Sequence, residues 1–170
     1  MDKTYADTVR LLLAVAPDVF ANDIFAMKGG TAINLFVRDM PRLSVDIDVV
    51  YLPWQTPRDE ALQAINQELA AIATRVAPLG VQTRLVRAKD LGDTKLIVEN
   101  DASQVKIEVN VVFRGSVLPV ERRPLSAKTS DLFGVEFELP VLAPDELYAS
   151  KLVAALDRQH PRDLFDVWQL

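Results

Sequence analysis

Two hydrophobic periods occur along this chain, and together they predict a mixed sheet flanked by helices. Apolar residues three and four positions apart predict helices, whereas alternation of apolar and polar residues predicts half-buried strands. The predicted helices cover residues 3 to 15, 31 to 38, 56 to 76, 144 to 158 and a last segment from 161; the predicted strands cover residues 23 to 27, 45 to 51, 81 to 87, 94 to 99, 104 to 113 and 135 to 139. This mixed order, with consecutive strands in the middle, favours an α/β (α+β) fold.

Local signals set several boundaries. Thr56 precedes Pro57, which predicts a capping hydroxyl followed by proline at the first helical position. Pro78 and Gly80 predict the end of that helix, and Gly92 with Asp93 predicts a turn between two strands. Residues 114 to 133 give no firm prediction.

The predicted strand at 45 to 51 carries two aspartates, Asp46 and Asp48. Residues two apart on a strand point to the same face, so both carboxylates are expected on one side of the sheet. Adjacent carboxylates repel each other unless a cation lies between them. Magnesium, held by one or two carboxylates together with substrate phosphates, is the usual ion at such a site.

A glycine pair, Gly29 and Gly30, precedes Thr31 at the start of the predicted helix. Backbone N–H groups exposed at a helix start can bind phosphate. A phosphate site and a metal site within one short segment indicate phosphoryl-type chemistry. Ser44 alternates onto the face of the two aspartates, where it could contact a phosphate or end the preceding loop by a local hydrogen bond. Lys28 is expected to face the glycine turn.

The segment Lys28-Gly-Gly-Thr31 followed by Ser44-Val-Asp-Ile-Asp48 resembles the first motif of the polymerase-beta-type nucleotidyltransferases. Its particular form is similar to the AbiEii/AbiGii nucleotidyltransferase toxins of bacterial type IV toxin–antitoxin and abortive-infection systems. The resemblance resumes at residues 145 to 151 and 162 to 166. It implies a polymerase-beta-like fold, with a catalytic domain at 1-140 and the beginning of a helical C-terminal region at 141-170 that continues in the full gene product.

Glu108 is the expected third carboxylate. Val105, Ile107 and Val109 alternate on one face of the predicted 104 to 113 strand, so Lys106 and Glu108 share the other. If this strand neighbours the one carrying the aspartates, three carboxylates converge on one or two magnesium ions. The alternative is an ordinary solvated face. A basic residue two positions before an acidic one also fits the second motif of the family.

Lys151 lies beside the apolar stripe of its predicted helix, where a cation without a partner is costly. A nucleoside triphosphate is the expected partner; a lysine whose stem covers apolar surface is the alternative. The third family motif is only partly kept. Asp145 and Lys151 match it, but Ser150 stands at the first of its two basic positions.

The segment Arg162 to Asp166 matches a further family motif that implies one functional aspartate. We expect this to be Asp163, although the spacing does not separate it from Asp166. A carboxylate in the first helical turn also favours the helix dipole. Arg162 with Asp166 could equally form a surface ion pair four residues apart.

Composition narrows the class of protein. No apolar run reaches transmembrane length, the N-terminus lacks signal-peptide features, and the absence of cysteine excludes disulfides and zinc–thiolate sites. His160, the single histidine, is expected at a helix boundary rather than in a metal site. These features predict a cytoplasmic enzyme. The net charge of −5 argues against a broad nucleic-acid surface but not a local one.

The sequence therefore predicts a nucleotidyltransferase dependent on Mg²⁺, with Mn²⁺ as the alternative ion, that binds a nucleoside triphosphate. The resemblance implies RNA as the acceptor, with the 3′ end of tRNA as the candidate, and a separately encoded antitoxin as the partner. If the acceptor is RNA, candidate phosphate contacts are Arg38, Arg42, Arg114, Arg122 and Arg123. The alternatives are a transferase acting on a small molecule, such as an antibiotic, or on protein, and a non-catalytic binding protein on the same scaffold.

Overall fold

Seven strands form one mixed sheet in the computed structural model, which describes residues 3–42, 44–87 and 93–169. The strands are β1 (Phe25–Lys28), β2 (Ile47–Tyr51), β3 (Gln82–Arg87), β4 (Asp93–Glu99), β5 (Gln104–Asn110), β6 (Glu121–Pro124) and β7 (Glu138–Val141). Their order across the sheet is β3-β4-β5-β2-β1-β7-β6. The β2–β5 and β1–β7 pairs are parallel and the other pairs are antiparallel. The predicted mixed sheet is confirmed.

Six α-helices accompany this sheet in the described part of the chain. They are α1 (Lys3–Val19), α2 (Gly29–Ala32), α3 (Arg58–Val76), α4 (Ala127–Phe133), α5 (Pro144–Arg158) and α6 (Pro161–Trp168). Helix α2 continues as a π-helical segment, Ile33–Val37, and α3 ends in a 3₁₀ turn, Ala77–Leu79. Over the residues described, none of these helices has the length and apolar character needed to cross a membrane.

Much of the core lies between the sheet and helices α1 and α3, and strands β1 and β2 also bury residues of their other face, Ala26 and Val50. Helices α1 and α3 contact each other, α1 contacts β5, and α3 contacts β3 and β4. The alternating residues Val105, Ile107 and Val109 of β5 are fully buried there. Burying a large aliphatic side chain contributes roughly 1.5–3 kcal/mol, so the apolar residues determine which face of the strand packs against the helices. The intervening polar side chains of β5 therefore lie on the opposite face, which we call the open face of the sheet.

Several predicted boundaries are wrong, among them the start of α3 and the end of β5. Helix α3 begins one residue later than predicted: Pro57 is the cap residue, and no side chain caps the helix there, so Thr56 does not cap it. Strand β5 ends at Asn110 rather than at Phe113. The Asn110 side chain accepts hydrogen bonds from the backbone N–H groups of Val112 and Phe113, which turns the chain away from the sheet. Phe113 is 72% exposed instead of packing on the apolar face.

Residues 114 to 133, which carry no clear pattern, contain the edge strand β6 and the helix α4. Strand β6 pairs only with β7 and alternates between partly buried and exposed residues, so it lacks the apolar face that marks a buried strand. The predicted domain boundary between residues 140 and 141 falls inside β7, and α5 begins at Pro144. The predicted turn at Gly92 lies outside the described residues.

Candidate active site

The two strands that carry the predicted carboxylates are neighbours. Strand β2 pairs with β5 in parallel, and Asp48 lies in register with Glu108. Asp46 precedes β2, which begins at Ile47 rather than at Val45 as predicted. On the other side of β2, Asp48 lies opposite Lys28 of β1. Residues paired in this way share a face, so the three strands align Lys28, Asp48 and Glu108 in one row across the open face.

The glycine pair lies directly against this row. Gly29 has φ +78°, a left-handed conformation that favours glycine, and a Cβ there would overlap the carboxylate of Asp48. A Cβ on Gly30 would overlap the guanidinium of Arg42 and lie 3.0 Å from Oγ of Ser44. The missing side chains therefore let three polar groups approach the backbone at the start of α2.

Thr31 holds the segment that leads into β2. Its side chain is fully buried, and its hydroxyl donates a 2.5 Å hydrogen bond to the carbonyl oxygen of Asp46. Because that proton is used, Ser44 Oγ acts as donor in the 3.0 Å contact with Thr31 Oγ1. Asn34, also fully buried, joins the carbonyl of Gly30 to the backbone N–H of Arg42. These bonds fix the acidic segment relative to the glycine turn.

Glu108 is held from the next strand. Lys95 of β4 lies opposite Glu108 in the antiparallel β4–β5 pair, and its Nζ donates to Oε1 of Glu108 at 3.0 Å. About a third of each side chain is exposed, so solvent weakens this pair. The row across the open face therefore reads Lys95, Glu108, Asp48 and Lys28, with two carboxylates between two lysines.

A second, cationic side of the site comes from the C-terminal helices. Lys151 of α5 bonds Asp163 at 3.0 Å and lies 3.2 Å from Asp166, both on α6. Lys151 thus forms ion pairs with two aspartates of α6. Arg158 also donates to Asp163, at 2.9 Å. Burial would raise the pKa of Asp163, but the hydrogen bond and charge of Lys151, with the charge of Arg158, lower the pKa below its ordinary value.

Asp166 forms the deepest ion pair of this side. It is 1% exposed, and both its oxygens accept from the guanidinium of Arg42, at 2.6 and 2.5 Å. The reading of Asp166 as half of a surface pair with Arg162 is therefore wrong. Asp163 is buried as well, so α6 places two carboxylates beneath the cations of α5 and of the loop before β2. His160 is the N-cap residue of α6, which confirms its predicted place at a helix boundary.

A cavity of about 220 Å³ separates the acidic and cationic sides. Its lining consists of Gly30, Arg42, Ser44, Asp46, Asp48, Lys151, Arg158, His160, Arg162 and Asp163. Of the predicted site residues, the lining includes Gly30, Ser44, Asp46, Asp48, Lys151 and Asp163, and it does not include Gly29, Thr31 or Glu108. A cleft with carboxylates on one wall and cations on the other can bind a polyanion together with a divalent cation.

The ionised form of Asp48 is destabilised by its surroundings. Burial, reinforced by the negative charges of Glu108 and Asp46, raises the pKa of Asp48 from 3.8 to about 6, against the opposing effects of Lys28 and Lys151. A divalent cation would relieve this repulsion, and carboxylate oxygens are the ligands that magnesium prefers. As they stand, no three acidic or histidine side chains among the described residues are close enough together to hold a metal ion.

Sequence reasoning missed the roles of several residues. Lys95 gave no local signal, since its link to Glu108 depends on strand pairing. The five arginines predicted to contact RNA all bond the protein itself. Arg38 donates to Tyr148 and to the carbonyl of Gln169, Arg42 to Asp166, Arg114 to the carbonyl of Thr56, Arg122 to the carbonyl of Glu138, and Arg123 to Glu121 and the carbonyl of Phe36.

The family model that describes the nucleotidyl transferase AbiEii toxin of type IV toxin–antitoxin systems matches residues 10–170. The chain belongs to the AbiEii family. No curated protein matches its sequence. Among solved structures, the nucleotidyltransferase toxin MenT4 of Mycobacterium tuberculosis H37Rv matches 97% of this chain with a TM-score of 0.60 and 22% identity. That likeness shows a shared fold.

The AbiEii-family chain spans 59% of the length of MenT4. Within that span, the family model extends from α1 through the last described residues of α6. It therefore includes both walls of the cleft, the acidic wall on β2 and the cationic wall on α5 and α6. The fold predicted from the motif resemblance is confirmed.

Proposed function

We propose that this AbiEii-family protein is a magnesium-dependent nucleotidyltransferase. It transfers a nucleoside monophosphate from a nucleoside triphosphate to an acceptor hydroxyl, with pyrophosphate as the leaving group, and it acts as the toxin of a type IV toxin–antitoxin system. The observation that carries the proposal is the in-register pair of Asp48 and Glu108 beside a glycine turn, facing a cationic wall across one cleft. The family indicates the reaction class, and the cleft contains the carboxylates and the cations that this reaction needs.

The acidic wall would hold the metal. Asp46, Asp48 and Glu108 offer oxygen ligands, and a divalent cation would relieve the repulsion from Glu108 and Asp46 that, together with burial, raises the pKa of Asp48. Held by these residues, magnesium would supply charge neutralisation for the phosphates and would lower the pKa of the attacking hydroxyl. One of the carboxylates would accept the proton of that hydroxyl. To bind the same metal ion as the two aspartates, Glu108 would have to give up the hydrogen bond that it accepts from Lys95.

The opposite wall would bind the triphosphate. Gly29 and Gly30 leave the backbone at the start of α2 open, with Ser44 beside it, and Lys151 lies across the cleft. A triphosphate would compete with Asp163 and Asp166 for Lys151. Thr31 remains a predicted nucleotide-binding residue, and we propose that it acts by holding Asp46 and Ser44 in place, since its hydroxyl is buried.

Asp163 would act through other residues. It bonds Lys151 and Arg158, so we propose that it positions these cations over the cleft instead of touching the reacting atoms. Under this assignment, residues 1–140 supply the metal ligands and the glycine turn. The helical region that begins at residue 141 supplies the lysine and its supporting carboxylates.

The acceptor we propose is RNA, at the 3′ end of tRNA, with growth arrest as the consequence and a separately encoded antitoxin as the regulator. A triphosphate donor and an RNA acceptor both place the reaction in the cytoplasm. Because the net charge of the chain is −5, any RNA contact must come from a local cluster of cations.

The proposal is tested by incubating the protein with each α-labelled nucleoside triphosphate, magnesium and one of three acceptors: total RNA, an aminoglycoside or a protein extract. We expect label on RNA in the tRNA size range, with chelation of magnesium abolishing it. Label on the aminoglycoside or on protein would keep the enzyme class and replace the acceptor. No label on any acceptor, while the triphosphate still binds, would favour a non-catalytic scaffold.

A further inference from the structure

We propose that the open face of strands β3, β4 and β5 carries a phosphate-binding track, formed by Arg84 and Lys106, for the backbone of a nucleic-acid acceptor. The inference rests on the proposed function, because it concerns the acceptor of the same reaction. It assigns the acceptor contacts to side chains other than the five arginines predicted from the sequence.

The strand register places both cations on the face of the carboxylates. Lys106 precedes Glu108 by two residues on β5, so the two side chains point the same way. Lys106 lies opposite Ile97 of β4, and Ile97 lies opposite Arg84 of β3. A continuous cross-strand row therefore runs from Lys106 to Arg84 and adjoins the row of Asp48, Glu108 and Lys95.

The track also has a suitable length and direction. Adjacent strands are spaced by about 4.8 Å, so β3 lies about 14 Å from β2 across the sheet. Lys106 is on the strand next to Asp48, and Arg84 is two strands further out. A chain whose terminal hydroxyl reaches the carboxylates could therefore follow the row outward, away from the cleft that would hold the triphosphate.

Both cations are available for a ligand. The side chains of Arg84 and Lys106 are exposed, and neither forms a hydrogen bond or ion pair with any other residue in the described ranges. Ile97 lies between them and is only 9% exposed, as expected if the aliphatic stems of its two neighbours cover it. By contrast, the five arginines predicted from the sequence all donate hydrogen bonds to other groups of the protein, and four of them donate to backbone carbonyls.

The chemistry of this face fits a phosphate backbone. The strand register and alternation give this face of β3, β4 and β5 no aromatic residue, so it offers no platform on which bases could stack. Side chains that contact only phosphate fix the position of a nucleic acid without reading its sequence. The track should therefore bind acceptor strands of different sequence about equally.

The test measures binding of a fluorescent single-stranded RNA by anisotropy at several salt concentrations, using wild-type protein, the double variant Arg84→Gln/Lys106→Gln and the control Arg58→Gln. Arg58 is an exposed arginine in the first turn of α3, on the helix layer that covers the other face. Each lost phosphate contact should flatten the salt slope by about 0.7. Between 50 and 200 mM salt, wild-type protein should then lose about sevenfold more affinity than the double variant, and the control should match the wild type.

Three results would overturn the track: an unchanged salt slope in the double variant, an equal change in the control, or an effect on one RNA sequence and none on another. Labelled-triphosphate binding and transfer are measured in the same samples with the acceptor at saturation. If transfer proceeds while the salt slope is unaltered, the track fails and the proposed function stands; if wild-type protein transfers nothing to RNA at any salt concentration, the proposed acceptor fails.

Discussion

Asp48 of β2 lies in register with Glu108 of the parallel strand β5, and the charge of Glu108 helps to raise the pKa of Asp48 to about 6. The two residues are remote in sequence; Glu108 lies on the polar face of β5, and Asp48 is the one residue of β2 that is only partly buried. A row of carboxylates that destabilises its own ionised form is the arrangement expected where a cation is to bind.

The first prediction concerns stability as a function of pH. The folded-state pKa of Asp48 lies above its ordinary value of 3.8, so the folded state binds this proton more tightly than the unfolded chain does. Without metal, the contribution of Asp48 to stability should therefore fall as pH rises from about 4 to about 6, by at most about 3 kcal/mol. The Asp48→Asn variant should be more stable than wild type at pH 7.5.

Urea unfolding of both proteins at pH 5 and pH 7.5, in the presence of a chelator, measures this difference. Glu136→Gln, which neutralises an exposed acid, is the matched control and should follow the wild type. Magnesium should stabilise wild-type protein and have little effect on Asp48→Asn. Equal pH dependence in wild type and Asp48→Asn would contradict the assigned pKa.

The second prediction concerns the glycine turn. Gly29→Ala combines a left-handed φ of +78° with a Cβ that would displace the Asp48 carboxylate, so it should lower both stability and nucleotidyl transfer. Gly80 has a similar φ of +72° but open space around it, so Gly80→Ala should cost only the backbone strain of about 1–2 kcal/mol. Chemical unfolding and a transfer assay should therefore separate the two variants. Similar loss of transfer in both would show that the contact with Asp48 is irrelevant.

The third prediction concerns the buried pair of Arg42 and Asp166. Asp166→Asn replaces a buried carboxylate, which accepts two hydrogen bonds from Arg42 and pairs with Lys151, by a neutral amide with one acceptor oxygen, so the free energy of unfolding should fall by roughly 3 kcal/mol or more. The control is Asp7→Asn, which breaks the exposed pair with Arg10 and should cost less than about 1 kcal/mol. Urea denaturation compares them, and a cost for Asp166→Asn no larger than the control would refute a structural role for this pair.

How much the sequence could predict depended on the range of the interactions. The alternation of apolar residues around residues 45 to 51 and 104 to 113 is local, and it correctly predicted two strands on which Asp48 and Glu108 share a face, whereas Asp46 lies just before its strand. The end of β5 was missed because the side chain of Asn110 caps the backbone beyond it, a bond that competes with the strand pattern.

The cationic wall could be predicted only in part. Lys151 was identified by its place beside an apolar stripe, but its pairing with Asp163 depends on the angle between α5 and α6. Arg42 and Asp166 are 124 residues apart in the sequence, and no local pattern indicates such a contact. A motif thus predicts which groups are present, whereas the packing of distant elements decides which charges neutralise each other.

The most direct test of the central claim is the rate of transfer of α-labelled nucleoside monophosphate to RNA by four variants in saturating magnesium. Asp46→Asn, Asp48→Asn and Glu108→Gln each remove one proposed ligand, and Glu136→Gln removes an exposed charge outside the site. We predict that the first three lose transfer by at least a factor of about 100, which corresponds to about 2.7 kcal/mol of transition-state stabilisation, while remaining folded. The control should keep the wild-type rate, and wild-type transfer by Asp46→Asn and Asp48→Asn would contradict the account.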